Sequence, residues 1–335
     1  MIRCDGNAAI GMGHVSRCLA LADELREEHR CRVLFTMRDL ESAGAAAVKA
    51  RRYDIVALKA DADSDYGPAL QELVTTQHAR ALIVDVRDRL SRASLDAIRA
   101  SGVRVVTIDD GSDRRLASDL AFYPPVPQVE EMDWRGFAGQ RYAGWEWVVL
   151  RREFAAGASA DIDILVTMGG SDPAGMTAFT VRALEQLDAP FAVRVVVGPA
   201  FDRAQELIDA IVRSKHPIQI ARAPEPAMLA ALMRASRMAI ASFGVTAYEL
   251  AASGVPAVHL CLTDDHARSS SAFEKEGLAM TAGVFGRVSP QDLVSAVSRL
   301  MGNAGRRAEM AARACRLVDG RGAKRVAARI IDGLS

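Results

Sequence analysis

Two short stretches combine glycines with residues that bind or move charge. Arg3–Cys4–Asp5 runs on to Ile10–Gly11–Met12–Gly13–His14–Val15–Ser16–Arg17–Cys18, and Gly169–Gly170–Ser171–Asp172–Pro173 stands about half a chain later. Each adjoins an apolar, strand-like run and opens a helix-like pattern. A glycine-rich turn at a helix start aims unpaired backbone N–H groups at one point and so favours a bound anion. The first turn also supplies a histidine. Two such turns lead us to expect two α/β domains that face one phosphorylated ligand across a cleft.

The first turn departs from known phosphate loops. A dinucleotide fingerprint needs a third glycine where Ser16 stands, and a P-loop needs Gly-Lys-Ser/Thr, which is absent. Neither a nicotinamide dinucleotide nor a P-loop nucleotide is indicated. The positive end of a helix disfavours an imidazolium at His14, and a neutral imidazole is what a general base at pH 7 requires. A helix-capping or buried histidine fits the same spacing. In the second turn Ser171 or Asp172 can cap the next helix with Pro173 at its first position, although an ordinary strand–helix turn reads alike. Ser242–Phe243–Gly244–Val245–Thr246 is more pointed: Gly244 permits close approach, and two hydroxyls stand at a helix start. Glu249, one turn on, is placed to accept two ribose hydroxyls or to be a solvated helical carboxylate.

Further polar groups end apolar runs. Asp85 and Asp109–Asp110 do so in the first half, and Asp264–Asp265–His266 in the second. Ligands of open α/β sheets bind at the carboxyl ends of strands. Asp109–Asp110–Gly111 also fits a turn with an acidic cap. His259 and His266 lack metal-ligand spacing, so no metal is expected.

These groups need a scaffold. The first half alternates strands (1–4, 32–36, 54–58, 81–84, 103–108 and 120–122) with helices (14–28, 43–50, 69–76 and 92–101), the signature of a parallel, doubly wound sheet. Residues 124–160 break the pattern with prolines, all three tryptophans (Trp134, Trp145, Trp147) and a small-residue run at 155–160, and read as the interdomain crossing. Alternation restarts with strands at 162–168, 191–197, 217–221, 238–241 and 255–262 and helices at 176–186, 204–214, 227–235, 246–252 and 267–277. Helices at 291–301, 306–318 and 323–334 follow. The expected domains are 1–150 and 151–335, with the last helix free to pack back on the first.

Composition agrees with two soluble domains: 335 residues, half of them hydrophobic and a quarter charged, with 42 basic and 42 acidic side chains that cancel. No footprint for nucleic acid or an anionic membrane follows. Five cysteines without a C-x-x-C pair suit a reduced, cytoplasmic protein. No signal peptide or transmembrane run is expected.

Arg3, Asp5, Ile10, Gly11, Gly13, His14, Arg17, Cys18, Leu19, Leu21 and Ala22 resemble the opening motif of the PseG/SpsG-like UDP-sugar hydrolases of pseudaminic acid biosynthesis. Gly144 and Leu150–Arg151–Arg152–Glu153–Phe154, the turn at 169–173, and the segment 242–256 with Tyr248–Glu249–Leu250 and Gly254–Val255–Pro256 are similar to later family segments. The resemblance covers nearly the whole chain. It implies the GT-B architecture of two Rossmann-like domains, shared with MurG. It also implies cleavage of UDP-2,4-diacetamido-2,4,6-trideoxy-β-L-altropyranose to UDP and free sugar. His14 would then be the base that activates water, Glu249 would hold the ribose, and the helix start after Phe243 and Gly244 would hold the diphosphate. The family pattern is not matched at Val86 and Arg87, at Phe243, or at Asp264–Asp265–His266.

The candidate catalytic residues are therefore His14 and Asp85. The candidate substrate-binding residues are Gly11, Gly13, Arg17, Asp109, Gly169, Gly170, Ser171, Ser242, Phe243, Gly244, Val245, Thr246, Glu249, Asp265 and His266. No cofactor is expected, and the partner is a small UDP-sugar, with no nucleic acid and no stable membrane insertion. Transfer of the sugar to an acceptor, or nucleotide-sugar binding without catalysis, remain alternative readings.

Overall fold

The computed structural model describes residues 1–7, 10–59, 64–154, 161–188 and 190–334. The small-residue run at 155–160 lies outside the described residues. The chain divides into two compact units, Met1–Arg151 with Arg321–Ser335, and Arg152–Gly320.

In the first unit the elements run β1 (Ile2–Cys4), α1 (Gly13–Glu27), β2 (Leu34–Met37), α2 (Ala43–Ala50), β3 (Asp54–Ala57), α3 (Gly67–Thr76), β4 (Ala81–Asp85), α4 (Arg92–Ala100), β5 (Arg104–Ile108), β6 (Leu120–Tyr123), α5 (Gln128–Glu131) and β7 (Gln140–Ala143). The seven strands are all parallel, in the order β3-β2-β1-β4-β5-β6-β7. The order reverses at β1 and β4, where Cys4 pairs with Asp85. Helix α1 forms because Val15, Cys18, Leu19, Ala22 and Leu25 share one face, and that face is buried on the sheet.

The second unit runs β8 (Ile162–Thr167), α6 (Met176–Leu184), β9 (Val193–Val197), α7 (Ala204–Val212), β10 (Ile218–Arg222), α8 (Pro226–Arg234), β11 (Ser236–Ser242), α9 (Val245–Ala252), β12 (Ala257–Cys261), α10 (Asp264–Lys275), β13 (Ala279–Val284), α11 (Pro290–Met301) and α12 (Ala304–Leu317). Its six parallel strands are ordered β10-β9-β8-β11-β12-β13, with the switch between β8 and β11. The last helix, α13 (Gly322–Asp332), lies in the first unit, where Val326, Ala327 and Ile330 enter the same core as α1.

Two strands escape the sequence pattern. Within the stretch read as a crossing, Gln140–Ala143 adds an edge strand to the first sheet and Gln128–Glu131 a short helix. Two of the four β7 residues are exposed, and only Tyr142 carries a large ring, stacked on Phe122 at 5.0 Å. An edge strand wet on one side offers no apolar run. Likewise β13 is an edge strand with Gly283 inside it and no sustained alternation.

Candidate functional site

In the first unit the expected residues gather at the carboxyl ends of β1, β4 and β5. His14 and Arg17 stand three apart on α1 and so project from one face. Asp85, the last residue of β4, is 1% exposed and receives both. His14 Nδ1 lies 2.6 Å from Asp85 Oδ1. Arg17 donates from Nε to Asp85 Oδ2 at 3.0 Å and from Nη2 to Oδ1 at 2.8 Å. Its Nη1 reaches Asp109 Oδ2 at 3.0 Å. Asp109 and Asp110 turn to different partners. Asp110 accepts from the Ser112 N–H and the Arg114 guanidinium, so it is the acidic cap of the turn, while Asp109 joins the histidine cluster.

The electrostatics of the cluster fix the histidine tautomer. Burial pushes the Asp85 carboxyl up, but the Arg17 guanidinium and the His14 hydrogen bond outweigh it and bring the group down to about 2. Asp85 is thus a carboxylate, and a 2.6 Å contact requires a proton on Nδ1. The neutral ring then carries its lone pair on Nε2, for which no partner exists among the described residues; the His14 side chain is 13% exposed. Arg17 Nη2 lies 3.3 Å from Nδ1. Because that nitrogen bears the proton, the contact is a close approach of two donors. Burial opposes the charge on Arg17, and Asp85 and Asp109 more than restore it. Cys18 Sγ lies 3.8 Å from Asp85 Oδ2, and burial raises its thiol well above the ordinary value, which makes it a donor here. The helix-cap reading of His14 falls: Met12 is the N-cap of α1, and the imidazole is committed to Asp85.

A second layer of charge holds the loop after β4, and local sequence gives no sign of it. Asp88 accepts from Arg3 Nη2 at 3.1 Å, Tyr66 Oη at 2.6 Å and Arg114 Nη1 at 3.0 Å. Arg3, fully buried, also reaches Asp5 at 2.6 Å. Tyr66, Asp88 and Arg114 are far apart along the chain, and only their meeting beyond the carboxyl ends of the central strands reveals them.

In the second unit the turn after β11 is built differently. Gly244 has φ +156°, a backbone region open to glycine, and precedes α9 as its N-cap. No side chain caps α9, and its first turn holds no acid. The Phe243 ring turns inward to a cluster with Tyr248, His259, His266 and Phe273, at centroid distances of 5.6 to 6.1 Å. What Phe243 leaves at the surface of the turn is therefore backbone. His259 is fully buried, its Nδ1 lies 2.8 Å from Ser270 Oγ, and burial lowers it to about 3, so it is a neutral core residue. Glu249 is 7% exposed on the second turn of α9, and Val245 and Thr246 are half-buried in its first. Asp265 and His266 lie in the first turn of α10, whose N-cap Thr263 accepts from the His266 N–H at 3.2 Å.

The turn after β8 departs from expectation. Helix α6 begins at Met176 behind Gly175, so Gly169, Gly170, Ser171 and Pro173 form an intervening turn. The Asp172 carboxylate, 3% exposed, accepts from the Met176 and Thr177 N–H groups at 2.8 Å each. The chain's own carboxylate thus fills the anion seat of α6, and neither Ser171 nor Pro173 takes the expected place. Gly169 still adjoins Ser242, whose Oγ lies 3.6 Å from where a Gly169 Cβ would stand. Gly198, missed in the sequence, matters here: a Cβ on it would stand 2.3 Å from the Gly170 carbonyl oxygen, which already accepts from the Ala200 N–H at 3.1 Å.

No family model matches the chain. It is 25% identical over 289 residues to an uncharacterized protein of Methanocaldococcus jannaschii, MJ1062; the match takes in 76% of the chain and spans only 54% of that relative. It is 23% identical over 341 residues to the spore coat polysaccharide biosynthesis protein SpsG of Bacillus subtilis, covering 99% of the chain and 97% of SpsG. Among solved structures, MurG of Acinetobacter baumannii superposes with a TM-score of 0.74 at 17% identity over 99% of both chains. The chain has the GT-B fold. The UDP-GlcNAc 2-epimerase of Neisseria meningitidis, solved bound to UDP-GlcNAc, shares this two-unit architecture with a TM-score of 0.63 at 12% identity, over 99% of both chains. In this GT-B chain the expected residues form one cluster per unit, each at a sheet's switch point. Among the described residues no group of three or more His, Cys, Asp and Glu is arranged to hold a metal ion, and no described helix is long and apolar enough to cross a membrane.

Proposed function

We propose that this chain is a UDP-sugar hydrolase acting in the biosynthesis of a surface polysaccharide or a nonulosonic acid, with a UDP-linked 2,4-diacetamido-2,4,6-trideoxyhexose as its substrate class. The observation that carries the proposal is the 2.6 Å pairing of His14 Nδ1 with a buried, ionised Asp85, which leaves Nε2 as a base. The coarser part, an enzyme that acts on a UDP-sugar, is supported by the likeness to SpsG and by the UDP-GlcNAc bound in the epimerase of the same fold.

His14 Nε2 takes a proton from water as the water oxygen bonds to the anomeric carbon. The bond from that carbon to the β-phosphate oxygen breaks, and UDP leaves with the electron pair and with inversion. Asp85 stabilises the imidazolium that forms, and Arg17 holds Asp85 ionised. UDP needs little protonation to leave, so one base with anion stabilisation suffices. In the second unit the uncapped N-terminus of α9, with Ser242, Gly244 and Thr246, takes the diphosphate, and Glu249 takes the ribose hydroxyls. In the first unit Gly11, Gly13 and Asp109 border the sugar.

A second reading, sugar transfer to an acceptor hydroxyl, fits the same fold, which a glycosyltransferase of Rickettsia africae shares, and uses the same base. Incubation with UDP-2,4-diacetamido-2,4,6-trideoxy-β-L-altropyranose alone separates the two. Stoichiometric UDP and free sugar are expected without acceptor. Release of UDP only on adding a hydroxyl acceptor would make the chain a transferase, and UDP binding without turnover in either case would make it a binding protein.

A further inference from the structure

The first unit contains a cavity of about 600 Å³ at the end of its sheet opposite to His14, where β1, β2 and β4 begin. That volume lies within the roughly 300–1,000 Å³ range of small-molecule sites. Its buried lining is apolar: Ile2, Leu25, Val33, Ile83 and Ile330 are each 9% exposed or less. Its polar lining, His29, Arg32, Gln77, His78 and Arg80, is exposed or half-buried and so stands toward solvent.

The charge of this lining is one-sided. The whole chain balances 42 basic against 42 acidic residues, yet among the described residues the cavity is lined by two arginines and two histidines and by no aspartate or glutamate. Neither Arg32 nor Arg80 is paired with a carboxylate among the described residues. An apolar chamber with unpaired guanidinium groups at its mouth matches a ligand with an apolar body and one anionic end. We propose that this cavity binds a small amphipathic anion, an acyl or alkyl chain ending in a carboxylate or a phosphate. The tail lies among Ile2, Leu25, Ile83 and Ile330, and the head is held by Arg32 and Arg80. The site is independent of the UDP-sugar reading, because it shares no residue with either cluster above.

Calorimetric titration of the full chain with decanoate, decyl phosphate and decyltrimethylammonium, each below its micellar concentration, tests the proposal. Saturable 1:1 binding of at least one anion is expected, with the ammonium probe at least about tenfold weaker. The relative affinity of the two anions identifies the head group. Arg32→Glu with Arg80→Glu should weaken the anion at least about tenfold while thermal unfolding stays within the normal range, since both positions are exposed. Ala81→Phe, which adds a ring at the cavity wall, should abolish binding by filling the chamber. Equal binding of anion and cation, unchanged affinity in the charge-reversed variant, or no saturable binding at all would overturn the proposal.

Discussion

In the first unit the candidate site is a hydrogen-bonded cluster of charged side chains, and in the second it is an uncapped helix start flanked by the Ser242 and Thr246 hydroxyls and Glu249. His14, Arg17, Asp85 and Asp109 form a tight cluster in which Asp85 receives both the imidazole and the guanidinium, and Arg17 reaches on to Asp109. The turn from Ser242 to Thr246 has no ion pair of its own among the described residues; it has a glycine with φ +156°, an uncapped helix start and an aromatic plug beneath. The first arrangement suits proton transfer, where one nitrogen must hold a lone pair. The second suits a ligand that carries its own charge, for which preorganised N–H groups cost no reorganisation. The histidines make the same point. His14 is tied to a carboxylate, whereas His259 is neutral because burial alone forbids its charge.

The comparison breaks most sharply at His14. His14→Ala should lower UDP-sugar turnover by about 10²–10⁴-fold, the usual worth of a general base, with the dissociation constant for UDP nearly unchanged. Parallel loss of both would move His14 to the binding side. Asp85→Asn should cost a similar factor, because the amide neither ionises nor fixes the Nδ1–H tautomer, and Arg17 keeps only Asp109 as a counter-charge. Phe243→Ala inverts the test. Removing the ring at the centre of the aromatic cluster should lower unfolding free energy by about 3–5 kcal/mol, measured by denaturant titration. At a temperature where the variant stays folded, its chemical step should survive. A variant as stable as the parent would show that the ring is not a plug.

Legibility in the sequence follows the same division. The second-unit turn is local, and Ser242, Gly244, Thr246 and Glu249 are readable from one short window. His14 and Arg17 are readable too, since helical spacing puts them on one face. Asp85 and Asp109 could be picked out as strand ends, but not as partners of Arg17, from which they stand 68 and 92 residues away. Asp88 and Arg114 gave no signal, because their roles exist only once β1, β4 and the turn after β5 are side by side. The repeated strand–helix rhythm made the parallel sheets plain, and it failed at β7 and β13, edge strands with no apolar run to announce them. Asp172 was visible as a helix cap; that it reaches α6 from four residues ahead of Met176, and so removes an anion seat, was not.

A smaller effect is expected at Glu249. If it holds the ribose, Glu249→Ala should weaken UDP by about 1.5–3 kcal/mol, the range for charge-assisted hydrogen bonds, roughly 10–100-fold in dissociation constant. UDP and ribose-free inorganic pyrophosphate should then respond differently, with pyrophosphate unaffected. An unchanged dissociation constant for UDP would remove the ribose role while leaving the turn and the base untouched.

The mildest probe is pH, and it separates the units by sign and window. His259 has an ordinary value of 6.5 and is lowered to about 3 by burial. The unfolded chain therefore takes up a proton as pH falls below 6.5, while the folded second unit does not until about 3. Stability conferred by the neutral ring is complete above 6.5 and is lost progressively as pH falls from there towards 3. Asp85 titrates in a lower window: lowered from 3.8 to about 2, it contributes stability that is complete above 3.8 and is lost progressively as pH falls from there to about 2. Between pH 6.5 and 4.5 the second unit should weaken first. All three tryptophans, Trp134, Trp145 and Trp147, lie in the first unit, so fluorescence melts report on it while far-UV circular dichroism reports on both. The dichroism transition should move to lower temperature over that range ahead of the fluorescence transition, and His259→Gln should flatten the shift. Coincident transitions that move together at every pH, or a shift that survives in His259→Gln, would show that the buried imidazole is not what sets the acid response of the second unit.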